Sequence, residues 1–163
     1  MDLARLTMGD RVIGISGIIL FIASFFNWLG AKVDQGPFEV SDAKSGWGFT
    51  LTLIAILIGI AMVVLVALKA FDVKLPEMSG QLTWGTILLI MGVVAFVFVL
   101  IKLIAGPNLG EAGDIAGVEK TREIGIFIGL IATAGLAVGG YLRFQEDKAG
   151  SPGVPPSAPP PTA

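Results

Sequence analysis

Carboxylates are the residue type of this chain best suited to chemistry, and they gather in two segments. The two groups are Asp34, Glu39 and Asp42, and Glu111, Asp114, Glu119 and Glu123. Oxygen ligands of this kind suit Ca²⁺, but neither segment has the spacing of an EF-hand loop. Glu119 and Glu123 stand at i, i+4 spacing around two cations, which is typical of solvated helix surface. We therefore interpret both groups as solvated surface, and we predict no metal site and no cofactor.

Two residue types that most enzymes depend on are absent from the sequence. The chain has no cysteine and no histidine. Thiol nucleophiles, disulfides, iron–sulfur clusters and thiolate zinc sites are thereby excluded. The usual general base at neutral pH and the usual haem ligand are missing as well. The net charge of −2 offers no basic surface for nucleic acid. These observations predict a protein without enzymatic activity and without a nucleic-acid partner.

The composition is that of a membrane protein. Of the 163 residues, 54% are hydrophobic and 15% are charged, whereas soluble domains average about 25% charged residues. A soluble chain of this length could not hide so much apolar surface. The first apolar run of the sequence, at residues 12–30, is longer than the apolar region of a signal peptide. It also lacks a small-x-small cleavage site, so we expect this segment to be retained in the mature protein.

Four uncharged apolar runs predict the architecture, at residues 12–30, 48–68, 82–101 and 124–142. A helix rises about 1.5 Å per residue, so each run is about 28–32 Å long, close to the roughly 30 Å hydrocarbon core of a bilayer. We predict an all-α integral membrane protein over residues 1–148: a four-transmembrane-helix bundle with short outer loops. Residues 149–163 are rich in proline and predict a disordered tail. Residues 69–81 predict a short hairpin between the second and third runs.

Charge and aromatic residues predict the orientation in the cell membrane. With both termini in the cytoplasm, the inner cations are Arg5, Arg11, Lys69, Lys74, Arg143 and Lys148, against Lys32, Lys44, Lys102, Lys120 and Arg122 outside. The small excess inside agrees with the positive-inside rule. The predicted interfacial anchors are Trp28 and Trp47 outside, and Trp84 and Tyr141 inside. Lys102 is expected to snorkel towards the outer interface.

The apolar runs contain no ionisable residue in their interiors and no proline, so they show neither a proton relay nor the broken helices of transporters. Their strongest feature is a stripe of small residues at steps of 4, 3, 3 and 4 in the fourth run, namely Gly125, Gly129, Ala132, Gly135 and Gly139. Small residues let two helix backbones approach closely in lipid. This stripe could close the protein's own bundle, or it could contact a second membrane protein or a second copy.

The arrangement resembles a group of small four-helix membrane proteins of high-GC Gram-positive bacteria. The resemblance rests on RVIGISGIILFIASFFNWLG at the first run, SGWG before the second and GLIATAGLAVGGYLR in the fourth. It covers most of residues 11–145 and implies a fold but no site residues. Claudin-like tetraspans are similar in helix count, but they depend on a cysteine pair that this chain lacks.

These patterns predict a non-catalytic membrane component, an accessory or assembly subunit of a larger complex whose partners are the lipid bilayer and another membrane protein. A small oligomeric channel or carrier is the alternative. An enzyme that uses the outer carboxylates is a third hypothesis.

The orientation is open to a direct test with fused reporters. A reporter that is active only in the cytoplasm should give signal when fused after Gly150 and none when inserted within residues 34–42. The reason is the excess of cations on the side of the termini. The reverse pattern of signals would show that the charge bias misleads.

Overall fold

The computed structural model describes residues 6–35, 38–71, 73, 83–106 and 118–149. These residues form four α-helices: α1 (Met8–Ala23), α2 (Thr50–Ala70), α3 (Trp84–Ala105) and α4 (Ile124–Ala149). They also form three strands: β1 (Asn27–Gln35), β2 (Phe38–Ser45) and β3 (Val118–Arg122). The predicted tail beyond Ala149 and most of the predicted 69–81 hairpin lie outside the described residues.

Three of the helices, α2, α3 and α4, are long and apolar enough to cross a membrane. Their mean hydropathies are 3.1, 3.1 and 1.9, and the prediction of a mostly helical membrane protein is confirmed at this level. Helix α1 has 16 residues, so it is about 24 Å long, shorter than the hydrocarbon core. That α1 is a fourth span stays a prediction.

The first helix does not follow the boundaries of its apolar run. It begins at Met8, four residues before the predicted start at Val12, because Thr7 and Asp10 form a capping box. It ends at Ala23 rather than at residue 30. Ser24 donates its hydroxyl to the carbonyl of Phe21 at 2.6 Å, and the chain turns into β1 at Asn27. The predicted helix over residues 12–30 is therefore wrong at its carboxyl end.

The helices form a ring in which sequence neighbours pack together and α4 closes the ring against α1. The directions alternate. Lys69 at the end of α2 lies beside Asp10 at the start of α1, and Phe49, which precedes α2, lies beside Lys102 at the end of α3. The core of the ring is apolar and includes Ile13, Leu20, Ile56, Ala95 and Leu136.

The segments predicted as outer loops form a small antiparallel sheet with strand order β2-β1-β3. Strand β1 pairs with β2 from Asn27↔Ser45 to Gln35↔Phe38, and with β3 from Leu29↔Arg122 to Val33↔Val118. The prediction of loops alone is therefore wrong here, and so is the interpretation of Glu119 and Glu123 as helix surface. Because β3 follows β1 by more than eighty residues, no local sequence pattern predicts this pairing.

Helices α3 and α4 approach so closely that glycine is needed on both of them. A Cβ at Gly92 would lie 2.7 Å from the carbonyl oxygen of Leu136 and 2.8 Å from the Cα of Ala137, and one at Gly140 would lie 2.7 Å from the carbonyl oxygen of Leu88. These neighbours are backbone atoms, which cannot rotate away. The α3–α4 contact is therefore a backbone-to-backbone contact of the type that small residues allow in lipid.

We expect Gly92→Ala to lower the unfolding temperature in detergent, with a cost of about 2 kcal/mol from overpacking. Gly14→Ala is the matched control, because a Cβ at Gly14 has nothing within 4 Å. That variant should be neutral or slightly stabilising, since alanine favours helix over glycine by about 1 kcal/mol. Equal melting temperatures for the two variants would contradict the close α3–α4 contact.

Candidate functional site

The small-residue stripe of α4 begins under the side chain of Trp28. This indole is fully buried, and its Nε1 donates a hydrogen bond of 2.7 Å to the carbonyl oxygen of Ala23. A Cβ at Gly129 would lie 2.5 Å from the Trp28 ring, and one at Gly125 would lie 2.5 Å from the carbonyl oxygen of Asn27. The glycines thus form the floor of a pocket that the chain's own tryptophan fills.

The rest of the stripe contacts α1. Ala132 is buried, a Cβ at Gly135 would collide with Ser16, and one at Gly139 would lie 2.7 Å from a side-chain carbon of Ile13. The five small residues lie on one face, and α1 and the Asn27–Trp28 segment cover that face at its four glycines. The structure favours the interpretation in which the stripe closes the protein's own bundle.

The aromatic residues predicted as interfacial anchors differ in their surroundings. Trp28 is enclosed by protein, so the prediction that its ring reaches the headgroups is wrong. Trp47 is partly buried and donates from Nε1 to the hydroxyl of Ser24 at 3.0 Å. Tyr141 is about half exposed and Trp84 is partly buried. For Trp47, Trp84 and Tyr141 an interfacial position stays a prediction.

A cluster of ionic groups, which the apolar runs did not reveal, lies at the end of the bundle opposite the sheet. We name it the ion cluster; its members are Asp10, Lys69, Arg143, Glu146 and Asp147. Asp10 is buried, forms an ion pair with Lys69, and has an oxygen 3.8 Å from Nε of Arg143. Three helices, α1, α2 and α4, are thereby tied together through one carboxylate.

The two acids of α4 in this cluster bind the first turns of the neighbouring helices. Glu146 accepts a 3.2 Å hydrogen bond from the backbone N–H of Gly9, and Asp147 accepts one of 2.8 Å from that of Gly85. A carboxylate is favourable at a helix amino terminus, where N–H groups lack partners. Both contacts come from the last turns of α4, which continues to Ala149 rather than ending at the predicted residue 142.

Lys102 is a second buried ion, and its position predicted from the sequence is wrong. Lys102 is only 2% exposed, and its ammonium nitrogen lies 4.4 Å from the centre of the Phe49 ring. A cation over an aromatic face is stabilised by the ring quadrupole. The side chain is covered by protein, so the predicted snorkelling towards the interface does not occur.

One signal in the sequence could have located the ion cluster. Thr7 and Asp10 have the spacing of a capping box, with the threonine accepting from the N–H of Asp10 at 3.3 Å and the aspartate accepting from the N–H of Thr7 at 3.2 Å. Reading that motif would have moved the start of α1 back by a turn. Asp10 would then have counted as a residue of the helix.

The carboxylates of the ion cluster hold helices together. Among the described residues, no group of three or more acids could hold a metal ion. The carboxylates of Asp10, Glu146 and Asp147 accept from cations or from backbone N–H groups. No family model matches the chain, and no curated protein matches it either.

We expect Gly129→Ala to destabilise the protein because the added methyl meets the Trp28 ring, which its hydrogen bond holds in place. A loss of about 1–3 kcal/mol is typical of overpacking. Ile131→Ala is the control on the same helix, since Ile131 is 72% exposed. Combined with Trp28→Leu, the alanine at position 129 should cost less than it does alone. Additive losses in thermal unfolding would contradict the pocket.

We expect Asp10→Asn to cost about 2–3 kcal/mol of stability, somewhat less than the loss of one partner of a fully buried pair, because Lys69 is partly exposed. Asp42→Asn removes an exposed carboxylate and should change the unfolding temperature little. A comparable loss of stability in both variants would show that the loss comes from the change in net charge and not from the ion cluster.

Proposed function

We propose that this protein is a non-catalytic integral membrane protein, an accessory or assembly subunit of a larger membrane complex. The proposal rests on the contacts that the buried ions make inside the protein. Among the described residues, Asp10 ties helices together and Lys102 lies against an aromatic ring. With no histidine or cysteine in the sequence, two residue types that often perform catalysis are missing.

The proposal includes α1 as a fourth span, with both termini in the cytoplasm. Support comes from its packing, because α1 lies between α2 and α4 from Asp10 at one end to Ser24 at the other. Phe25 and Phe26 follow the helix and are exposed, so they extend its apolar surface. The small four-helix proteins that the sequence resembles would share this arrangement.

A partner would meet the outward faces of the helices. The stripe of α4 is filled by Trp28 and α1, so it is not the contact surface of this proposal. Large side chains that are more than half exposed stand on α1, α3 and α4; they include Ile15, Ile18, Ile90, Ile131 and Val138. In a membrane these side chains face lipid or another helix.

The filled core argues against a pore through one copy. Trp28, Leu20, Ile56 and Leu136 are almost completely buried inside the ring of helices. A channel would therefore need to form between copies.

Purification in mild detergent should distinguish the two functions. An accessory subunit should come down with a larger membrane protein at a fixed ratio, as measured by mass spectrometry of the complex. The isolated protein, reconstituted in liposomes, should then pass neither ions nor small solutes. A reproducible flux from the isolated protein, together with a defined oligomer, would contradict the proposal and favour a channel.

A further inference from the structure

Three exposed cations share one face of the sheet. Strand register places Lys44 and Arg122 on either side of Leu29, and places Asp42 and Lys120 on either side of Ala31. Residues paired in this way point to the same side, and alternate residues along a strand do so as well. This face thus carries the three cations Lys44, Lys120 and Arg122 and the single carboxylate of Asp42 among its described residues.

That face is turned towards the helices. Leu29 is fully buried in the core. Arg122 donates from Nε to the carbonyl oxygen of Leu103 at 2.9 Å, and a second, longer bond of 3.5 Å reaches the carbonyl oxygen of Ile104.

The two lysines of this face also pass close to the helix ends. The stem of Lys120 passes Gly106, the positive-φ residue that ends α3. On the other strand, the stem of Lys44 lies against Gly48, just before α2. The cations therefore line the junction of sheet and helices.

Exposed apolar side chains lie directly beside these cations. Ile104, whose carbonyl contacts Arg122, is 72% exposed, and Ile101, one turn earlier, is 46% exposed. Ile124, at the start of α4 and two residues after Arg122, is 66% exposed. A cation next to exposed isoleucine in an apolar helix is the pattern of a membrane interface, where headgroups and acyl chains meet.

We infer that this face of the sheet, which we name the basic junction (Lys44, Lys120 and Arg122), binds the phosphate of an anionic phospholipid in the adjacent leaflet. Arg122 uses two of its N–H donors on the end of α3, and a guanidinium has five. Lys44 and Lys120 are exposed and form no ion pair with the described residues. The exposed isoleucines select a lipid over free phosphate, because they offer a surface to the acyl chains. This inference does not depend on the proposed function.

The test is a lipid titration of the full chain. Delipidated protein in mild detergent is titrated with phosphatidylglycerol, phosphatidylcholine or inorganic phosphate, and bound lipid is measured by native mass spectrometry. Phosphatidylglycerol should bind at least tenfold more tightly than phosphatidylcholine. Lys44→Gln combined with Lys120→Gln should weaken that binding by roughly fivefold for each lysine. Both lysines are exposed, so the unfolding temperature should not change.

The matched control is Lys32→Gln, because Lys32 lies in β1 on the opposite face of the sheet. It removes the same charge and should leave phosphatidylglycerol binding within twofold of the unmodified chain. Equal binding of the two phospholipids would overturn the inference, as would an equal loss in the Lys32 variant. Binding of inorganic phosphate as tightly as phosphatidylglycerol would overturn it too, since a free-phosphate site gains nothing from the isoleucines.

Discussion

Close approach of the α4 backbone to its neighbours is the constraint on which the bundle depends. On one side Gly129 and Gly139 meet Trp28 and α1, and on the other Gly140 meets the backbone of α3. Lipid tails are as apolar as leucine, so no hydrophobic force drives helices together inside a bilayer. Dispersion between closely packed atoms has to supply the attraction instead. A methyl group at these positions would separate surfaces that gain their energy from contact.

The two ends of the bundle stabilise this central contact in different ways. At one end Trp28 bonds to the last residue of α1, lies on the glycines of α4 and is the second residue of the strand that pairs with both β2 and β3. At the other end Asp10 joins α1 to α2 and α4, while the terminal acids of α4 bind the first turns of α1 and α3. Helix α4 is thus fixed at both ends as well as along its length. The short α1 is held by the same interactions.

The buried ions Asp10 and Lys102 each lie against another group of the protein. A buried ion is costly in a medium of low dielectric unless it is paired, and the pairing of Asp10 and the ring contact of Lys102 meet that requirement. Both ions are thereby engaged in contacts within the protein. Lys44 and Lys120, in contrast, are exposed at the sheet and form no ion pair with the described residues.

The sequence by itself determined the apolar helices, the lack of histidine and cysteine chemistry, and the small-residue face of α4 with all five of its members. Hydropathy and helical periodicity are local properties, so a single chain segment is enough to reveal them. Only the tertiary structure decided that Trp28 fills this face, that Lys102 is buried and that β1 pairs with β3. Each of these depends on a partner distant in sequence: Gly129 for Trp28, Phe49 for Lys102 and Arg122 for Leu29. Local patterns carry no information about which distant segments meet, because packing of the whole bundle brings them together.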